Sequence, residues 1–376
     1  MPHWLTVTDC RAVLLDLVRA ELSAYRGSTI PDGQKPPELD SLERLHLAGC
    51  VNEFFRLHET GAEDRLLMTN SLDEWATLVA AAISTTSGLT FRTSGSTGSP
   101  TSHLHSWQHI EAEAAALAEC LAAKRPIQRV VSWLPLHHLY GFMVAVALPA
   151  CAGIPRNYGS NQALPELRSG DLLVTVPPRW DFLARSGKTW PAQVLGVSST
   201  GPLADTTVAS LLQHDLTGLL DIYGSTETGG IATRWWPESS YQLLAHWQRL
   251  DSQHIKRRGD TSGTPLMDQL HWLSECTFQL HGRLDDVISI GGINVSPTRV
   301  AERLRALSSV QECAVRPTGP DAQRRLKAFV VPAVDPAIAE QDIANTIALW
   351  PAAERPINIT YGDVIPTNAI GKRTDW

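Results

Sequence analysis

The chain has 376 residues, 43% hydrophobic and 19% charged, and 32 Lys and Arg against 39 Asp and Glu give a net charge of −7. That length holds two or three domains with a core that needs no covalent staples, and the acidic balance excludes a broad nucleic-acid-binding face. Six cysteines without a CxxC pair, an N-terminus without a basic, apolar leader and a longest apolar run (142–154) too short to span a bilayer predict free thiols in a cytoplasmic protein with no membrane partner.

Helical periodicity opens the chain. Residues 8–26 put Val13, Leu14, Leu17, Val18 and Leu22 on one face, with Thr8 or Asp9 as the cap. After a Gly- and Pro-rich loop, residues 41–58 form a second amphipathic run with Leu42, Leu45, Leu47, Val51 and Phe54 inward. A third helix over 71–83 carries Leu72, Trp75, Leu78 and Val79. A short strand-like piece then leads into a polar, glycine-rich stretch. From there helical segments such as 106–123 alternate with apolar runs at 130–134, 172–176 and 194–198, the pattern of an α/β fold with parallel strands. The alternation repeats on a smaller scale to the C-terminus, with strands expected at 313–315, 328–331 and 357–361 and helices at 297–307 and 341–350. The predicted division is a helical bundle (1–85), an α/β domain (86–284) and a small α+β domain (285–376).

The sharpest local signal is Thr93-Ser94-Gly95-Ser96-Thr97-Gly98-Ser99-Pro100. Its glycines let the backbone approach an anion, successive N–H groups form an anion nest, and hydroxyls add donors for phosphate oxygens. No Lys-Ser/Thr pair follows, so it is not a Walker loop. Read alone it is equally a solvated linker.

Further segments follow in order: Trp133-Leu134-Pro135-Leu136-His137-His138-Leu139-Tyr140-Gly141, Ser199-Thr200-Gly201-Pro202-Leu203, Tyr223-Gly224-Ser225-Thr226-Glu227, Gly282-Arg283-Leu284-Asp285-Asp286, Gly292-Ile293-Asn294-Val295-Ser296-Pro297 and Pro366-Thr367-Asn368-Ala369-Ile370-Gly371-Lys372. This series resembles the adenylate-forming superfamily of acyl-CoA synthetases, luciferases and carrier-loading adenylation domains, over residues 93–376. The resemblance implies ATP and Mg²⁺. Thr93, Ser94, Gly95, Ser96, Thr97 and Gly98 would hold the β- and γ-phosphates. Tyr223, next to Gly224, would stack on adenine, Thr226 would touch the α-phosphate, and Glu227 would hold the metal. Asp268 and Arg283, 15 residues apart, would bind the ribose. His138, Tyr140 and Gly201 would line the carboxylic acid's pocket, and Asp285 would be the hinge between large and small subdomains. Lys372, one of only six lysines, would stabilise the transferring oxygens, with Glu227 and His138 completing the catalytic set.

Three departures accompany the resemblance. Thr101 stands where the family has Lys after the loop's Pro, Ser289 stands at another family Lys, and only 92 residues precede the loop where the family has about 150 that form part of the large domain. Those residues carry a resemblance of their own. Leu39-Asp40-Ser41-Leu42-Glu43 and Phe54-Phe55 are similar to the second helix of an acyl carrier protein, which would make Ser41 a phosphopantetheine site. Glu38 replaces the Gly usual there, and a degenerate carrier fold or a plain helix cap reads equally from these residues.

Together these imply a shortened α/β large adenylation subdomain and a small α+β C-terminal subdomain, preceded by a helical carrier-like bundle. The implied activity is ATP-dependent conversion of a carboxylic acid to acyl-AMP, followed by transfer to the phosphopantetheine of a holo-acyl carrier protein. Free CoA is the alternative acceptor, and a non-catalytic protein that binds a carrier or partner is the reading of another class. The nearest resemblance, to short AMP-ligases of aryl-polyene or xanthomonadin-type pigment pathways, implies an aromatic acid such as a hydroxybenzoate.

Overall fold

A computed structural model describes residues 3–30, 37–69, 71–92, 101–159, 163–283, 288–290, 293–319, 324–368 and 373–376. The chain forms two compact units, 1–248 and 249–376. Among the described residues no helix is long and apolar enough to cross a membrane, and all six cysteines are free thiols.

The first unit begins with α1 (Val7–Arg26), α2 (Ser41–Phe55), α3 (Glu63–Met68) and α4 (Leu72–Ala82). Helix α1 starts one residue earlier than the periodicity indicates. Its cap is Thr6, in a capping box with Asp9, rather than Thr8 or Asp9. The five apolar residues expected on its inner face are buried. Helix α2 stops at Phe55, because Arg56 turns left-handed at φ 56°. That conformation is unfavourable for a residue with a Cβ; ion pairing to Glu59 and hydrogen bonds to Ser87 and Thr90 hold it.

Leu42 and Leu45 are not inward on α2; they are 65% and 56% exposed. Leu47, Val51 and Phe54 are buried as expected, and Glu43 joins them on the packed face. Glu43 tolerates burial because Arg26 grips it bidentately, at 2.6 and 2.7 Å. This guanidinium, helped by the Asp40 N–H, holds the Glu43 carboxyl down to about 2.

Strands β1 (Gly88–Arg92) and β2 (Ser102–Ser106) form an antiparallel pair on either side of residues 93–101. The β1 strand was legible; β2 lies in what reads as polar loop. Helix α5 (Trp107–Lys124) follows, capped by the Ser106 hydroxyl.

The main sheet takes β3 (Arg129–Ser132), β4 (Arg156–Tyr158), β5 (Asp171–Val174), β6 (Leu195–Ser198), β7 (Gly218–Ser225), β8 (Gly229–Trp235) and β9 (Tyr241–Leu243) in the order β9-β8-β7-β6-β5-β3-β4. From β4 to β7 all neighbours are parallel, as the alternation predicts; β8 and β9 run antiparallel. The apolar run after β3 becomes α6 (Leu139–Phe142), one π-helical turn (Met143–Ala147) and α7 (Leu148–Ala152). Helices α8 (Pro177–Arg185) and α9 (Asp205–Gln213) pack on the sheet through Trp180, Leu183, Val208 and Leu211 against Leu173 and Leu219.

The second unit has its own core. Strands at 310–318, 325–332 and 356–361 form a sheet, the first pair antiparallel and the second parallel. Helices Pro297–Arg305 and Pro336–Ile347 join it, contributing Val300, Leu304 and Ile343 to a cluster with Cys313, Ala328 and Val330. The second helix begins five residues before the expected Gln341, because Pro336 takes the first helical position behind an Asp335 cap.

Candidate active site

Three of the motifs lie at one edge of the sheet. The 133–141 segment leaves the C-terminal end of β3, 199–203 leaves that of β6, and 223–227 forms the end of β7 and the turn to β8. In open α/β sheets ligands bind at the carboxyl ends of the strands.

Gly224 is required at its position: a Cβ there would meet the Gly229 carbonyl oxygen at 2.1 Å. The turn is closed by reciprocal bonds, with Ser225 N donating to Thr228 Oγ1 at 3.1 Å and Thr228 N to Ser225 Oγ at 3.3 Å. Glu227 projects from it with its side chain 52% exposed.

Two histidines of β2 meet this turn. His105 Nε2 bonds to the Thr226 carbonyl oxygen at 2.8 Å, and His103 Nε2 lies 3.9 Å from Glu227 Oε1. Neither histidine belongs to a motif of the series, although the period-two His-Leu-His spacing on one face of a strand is a usable signal. Thr101, at the family's Lys position, lies 3.0 Å from His103 Nε2 through its hydroxyl.

Behind the turn, the Tyr223 ring meets Tyr241 edge-on, centroids 5.9 Å apart. Tyr241 donates to Asp221 at 2.6 Å, and Arg234 holds the same carboxylate at 3.1 Å. Burial raises the Asp221 pKa, opposed by these two partners. This network positions the tyrosine that the resemblance places against adenine, and the motif does not include it.

The 133–141 segment is fixed from several sides. A Cβ on Gly141 would meet the Pro135 carbonyl oxygen at 2.1 Å. The Tyr140 hydroxyl lies 3.0 Å from the Thr175 carbonyl oxygen and 2.9 Å from that of Val197, so its one proton is shared between β5 and β6 at their C-terminal ends. His138 occupies the cap position of α6, and its ring lies against that of His137 at 4.2 Å. Burial, with a smaller contribution from His138, pushes His137 well below its ordinary pKa. Gly201 is exposed, with no heavy atom within 4 Å of a Cβ built there, and follows Thr200 at φ 78°.

In the second unit, Asp268 and Arg283 are register partners on the antiparallel strands Asp268–Trp272 and Thr277–Arg283. The 15-residue spacing is therefore the length of one hairpin. Residues 93–98 of the expected phosphate loop, Asp285, the expected hinge, and Lys372, the lysine expected to stabilise the transferring oxygens, lie outside the described residues. Ser41 is the first residue of α2, exposed and capped by Asp40.

A helix-supported α/β sheet with an apposed set of strand-end motifs, and a separate α+β unit, define the adenylate-forming class. The profile of the AMP-binding enzyme family matches residues 71–269. A 4-coumarate–CoA ligase of Halorhodospira halophila is 43% identical, over 98% of this chain and 99% of that protein. A protein of the same name from Rhodobacter capsulatus is 34% identical over 97% and 99%. A 3,4-dihydroxybenzoate–[aryl-carrier protein] ligase of Bacillus anthracis is 24% identical over 93% and 84%. Among solved structures, ATP-bound MatB of Rhodopseudomonas palustris has a TM-score of 0.62 at 16% identity, covering 97% of this chain and 91% of that one. O-succinylbenzoate coenzyme A synthetase of Bacillus subtilis, with AMP, gives 0.61 at 17% over the same shares.

The chain belongs to the AMP-binding enzyme family. It is an ATP-dependent acid–thiol ligase that activates a carboxylic acid as acyl-AMP, and its fold is the family's large α/β domain with a small C-terminal domain.

Proposed function

We propose that the acid is a phenolic or other aromatic carboxylate of the 4-coumarate or hydroxybenzoate type, and that the acyl-AMP is passed to the thiol of CoA. The observation that carries the reading is the arrangement at the sheet edge: the 133–141, 199–203 and 223–227 segments all emerge from the C-terminal ends of the parallel strands β3, β6 and β7, within four consecutive strands of one sheet. The names of the two relatives at 43% and 34% identity favour an aryl acid and CoA. The Bacillus anthracis relative, at 24%, supports a carrier protein as the second acceptor.

In the adenylation step the acid's carboxylate attacks the α-phosphorus of ATP and pyrophosphate leaves. The protein's part is positioning and charge stabilisation. Thr93–Gly98 cradle the outer phosphates, Tyr223 stacks on the base with Tyr241 behind it, and Thr226 reaches the α-phosphate. Asp268 and Arg283 take the ribose. His138, Tyr140 and Gly201 bound the acid, and Lys372 meets the charge that grows on the transferring oxygens. Glu227 offers an exposed carboxylate, a hard oxygen donor of the kind Mg²⁺ takes; bound there, the ion neutralises phosphate charge. A turn of the small domain about Asp285 separates this step from thiol attack.

The division of labour that follows has 86–284 as the large catalytic subdomain and 285–376 as the moving one. Residues 1–85 then serve as a fixed support rather than a loaded carrier, with Ser41 acting as the first residue of α2. The free thiols support work in the cytoplasm.

The test is acceptor choice. With a phenolic acid and ATP, free CoA should be converted to its thioester faster than a holo-carrier is loaded. Loading of the carrier with CoA untouched would replace the first acceptor by the second. Incubation with CoA and a phosphopantetheinyl transferase should add no mass to the chain; a gain lost in Ser41→Ala would restore the carrier reading of 1–85.

A further inference from the structure

Away from the strand-end motifs, three side chains of different chemistry converge where α1 meets α2. His46 and Cys50 stand one helical turn apart and project from the same face of α2. Glu21 of α1 faces them. Its Oε2 is 3.8 Å from His46 Nε2, Cys50 Sγ is 3.7 Å from the same nitrogen, and the three donor atoms all lie within 4.8 Å of one another. We propose that Glu21, His46 and Cys50 bind a divalent cation of the zinc class, joining α1 to α2.

The separations fit that reading. Around a tetrahedral zinc with bonds of about 2.3 Å to sulfur and about 2.0 Å to nitrogen or oxygen, S and N are about 3.6 Å apart and N and O about 3.3 Å. The observed 3.7 and 3.8 Å need only small side-chain rotations. A direct carboxylate–imidazole hydrogen bond would instead close to about 2.7–3.2 Å. The donor set of one thiolate, one imidazole and one carboxylate suits zinc better than Mg²⁺ or Ca²⁺.

Charge and access agree. Arg92 NH1 lies 3.7 Å from Glu21 Oε1, the carboxylate oxygen other than the one His46 approaches, and is also paired with Glu53. Glu21 and Glu53 against Arg92 leave one negative charge for a cation. The His46 side chain is 38% exposed and gives entry from solvent, whereas Cys50 is buried behind it. The Tyr25 ring, centroid 5.1 Å from that of His46, backs the imidazole. On binding, the Cys50 S–H bond gives its proton to solvent and the thiolate sulfur bonds the metal. His46 coordinates through neutral Nε2, and water takes the fourth position.

The experiment uses the full chain with the two exposed thiols removed (Cys151→Ser and Cys276→Ser), and Zn²⁺ alone as the probe. Equilibrium dialysis should find one tightly bound ion per chain, weakened about 100-fold or more in His46→Gln and in Cys50→Ala. Cobalt(II) should give a thiolate charge-transfer band in the parent that Cys50→Ala lacks. His46→Gln alters an exposed side chain, so it remains informative if Cys50→Ala fails to fold. No stoichiometric binding, or tight binding that survives His46→Gln, would overturn the proposal.

Discussion

Asp16, in the middle of α1, accepts a hydrogen bond from the backbone N–H of Leu136 at 2.7 Å. One residue of the N-terminal helices thus fixes the backbone of the 133–141 segment, 120 positions away in sequence, two residues before His138. Other ties join the N-terminal segment to α5 and β4: Trp4 Nε1 donates to Glu111 at 2.9 Å, and Asp9 pairs with Arg156 and accepts from Tyr158. Asp16→Ala leaves that N–H without its acceptor, at about 1–3 kcal/mol of stability. If His138 bounds the acid, KM for the acid should rise while KM for ATP changes little. Chemical denaturation and initial rates check both; an unchanged acid KM would detach α1 from the acid's site.

Asp9 gives the fold an acid limb. Burial raises its pKa, but the hydrogen bonds from Arg156, Thr6 and Tyr158 outweigh that and the net shift is downward. A depressed carboxylate pKa contributes stability that is complete above the unfolded value, about 3.9, and is lost as pH falls through the lower folded value. Asp9→Asn should therefore flatten stability against pH below about 4 and lower it at neutral pH. Urea midpoints between pH 3 and 7 measure this, and parallel curves for parent and variant would remove Asp9 from the acid limb.

His105→Ala removes the side chain that holds the Thr226 carbonyl. A hydrogen bond of ordinary net worth, about 0.5–1.5 kcal/mol, should appear as a rise of about 2- to 13-fold in KM for ATP, with thiol transfer from supplied acyl-AMP unaltered. Glu227→Gln should instead raise the Mg²⁺ concentration needed for half-maximal adenylation. Equal Mg²⁺ dependence in parent and variant would take Glu227 out of the metal's shell.

Lys372→Ala should slow acyl-AMP formation by about 10²–10³, the scale for loss of one transition-state donor, and slow thiol transfer from supplied acyl-AMP far less. Equal losses in the two half-reactions would contradict its assignment to the first.

Local pattern carried much of the fold. The parallel strands at 129–132, 171–174 and 195–198 are short apolar runs between helices, and the periodicity of α1 marked its buried face. The phase of α2 was illegible because a buried Glu43 depends on Arg26, a partner 17 residues away that no window on α2 contains. Strand β2 was missed because its residues are mostly polar and partly exposed; its two histidines earn their place by facing the 225–228 turn. Motif residues at the sheet edge were legible one by one. Their supports, Asp16, His105, Asp221 and Tyr241, were not, since each acts through a contact made only by the folded chain.

The most direct test is acid-dependent exchange of labelled pyrophosphate into ATP, run on the full chain with 4-coumarate, hydroxybenzoates and aliphatic acids of similar size. The account predicts exchange that requires an acid, is strongest with a phenolic acid and falls about 10²–10³ in Lys372→Ala. Exchange driven best by an aliphatic acid, or none with any aryl acid in the presence of Mg²⁺, would contradict it.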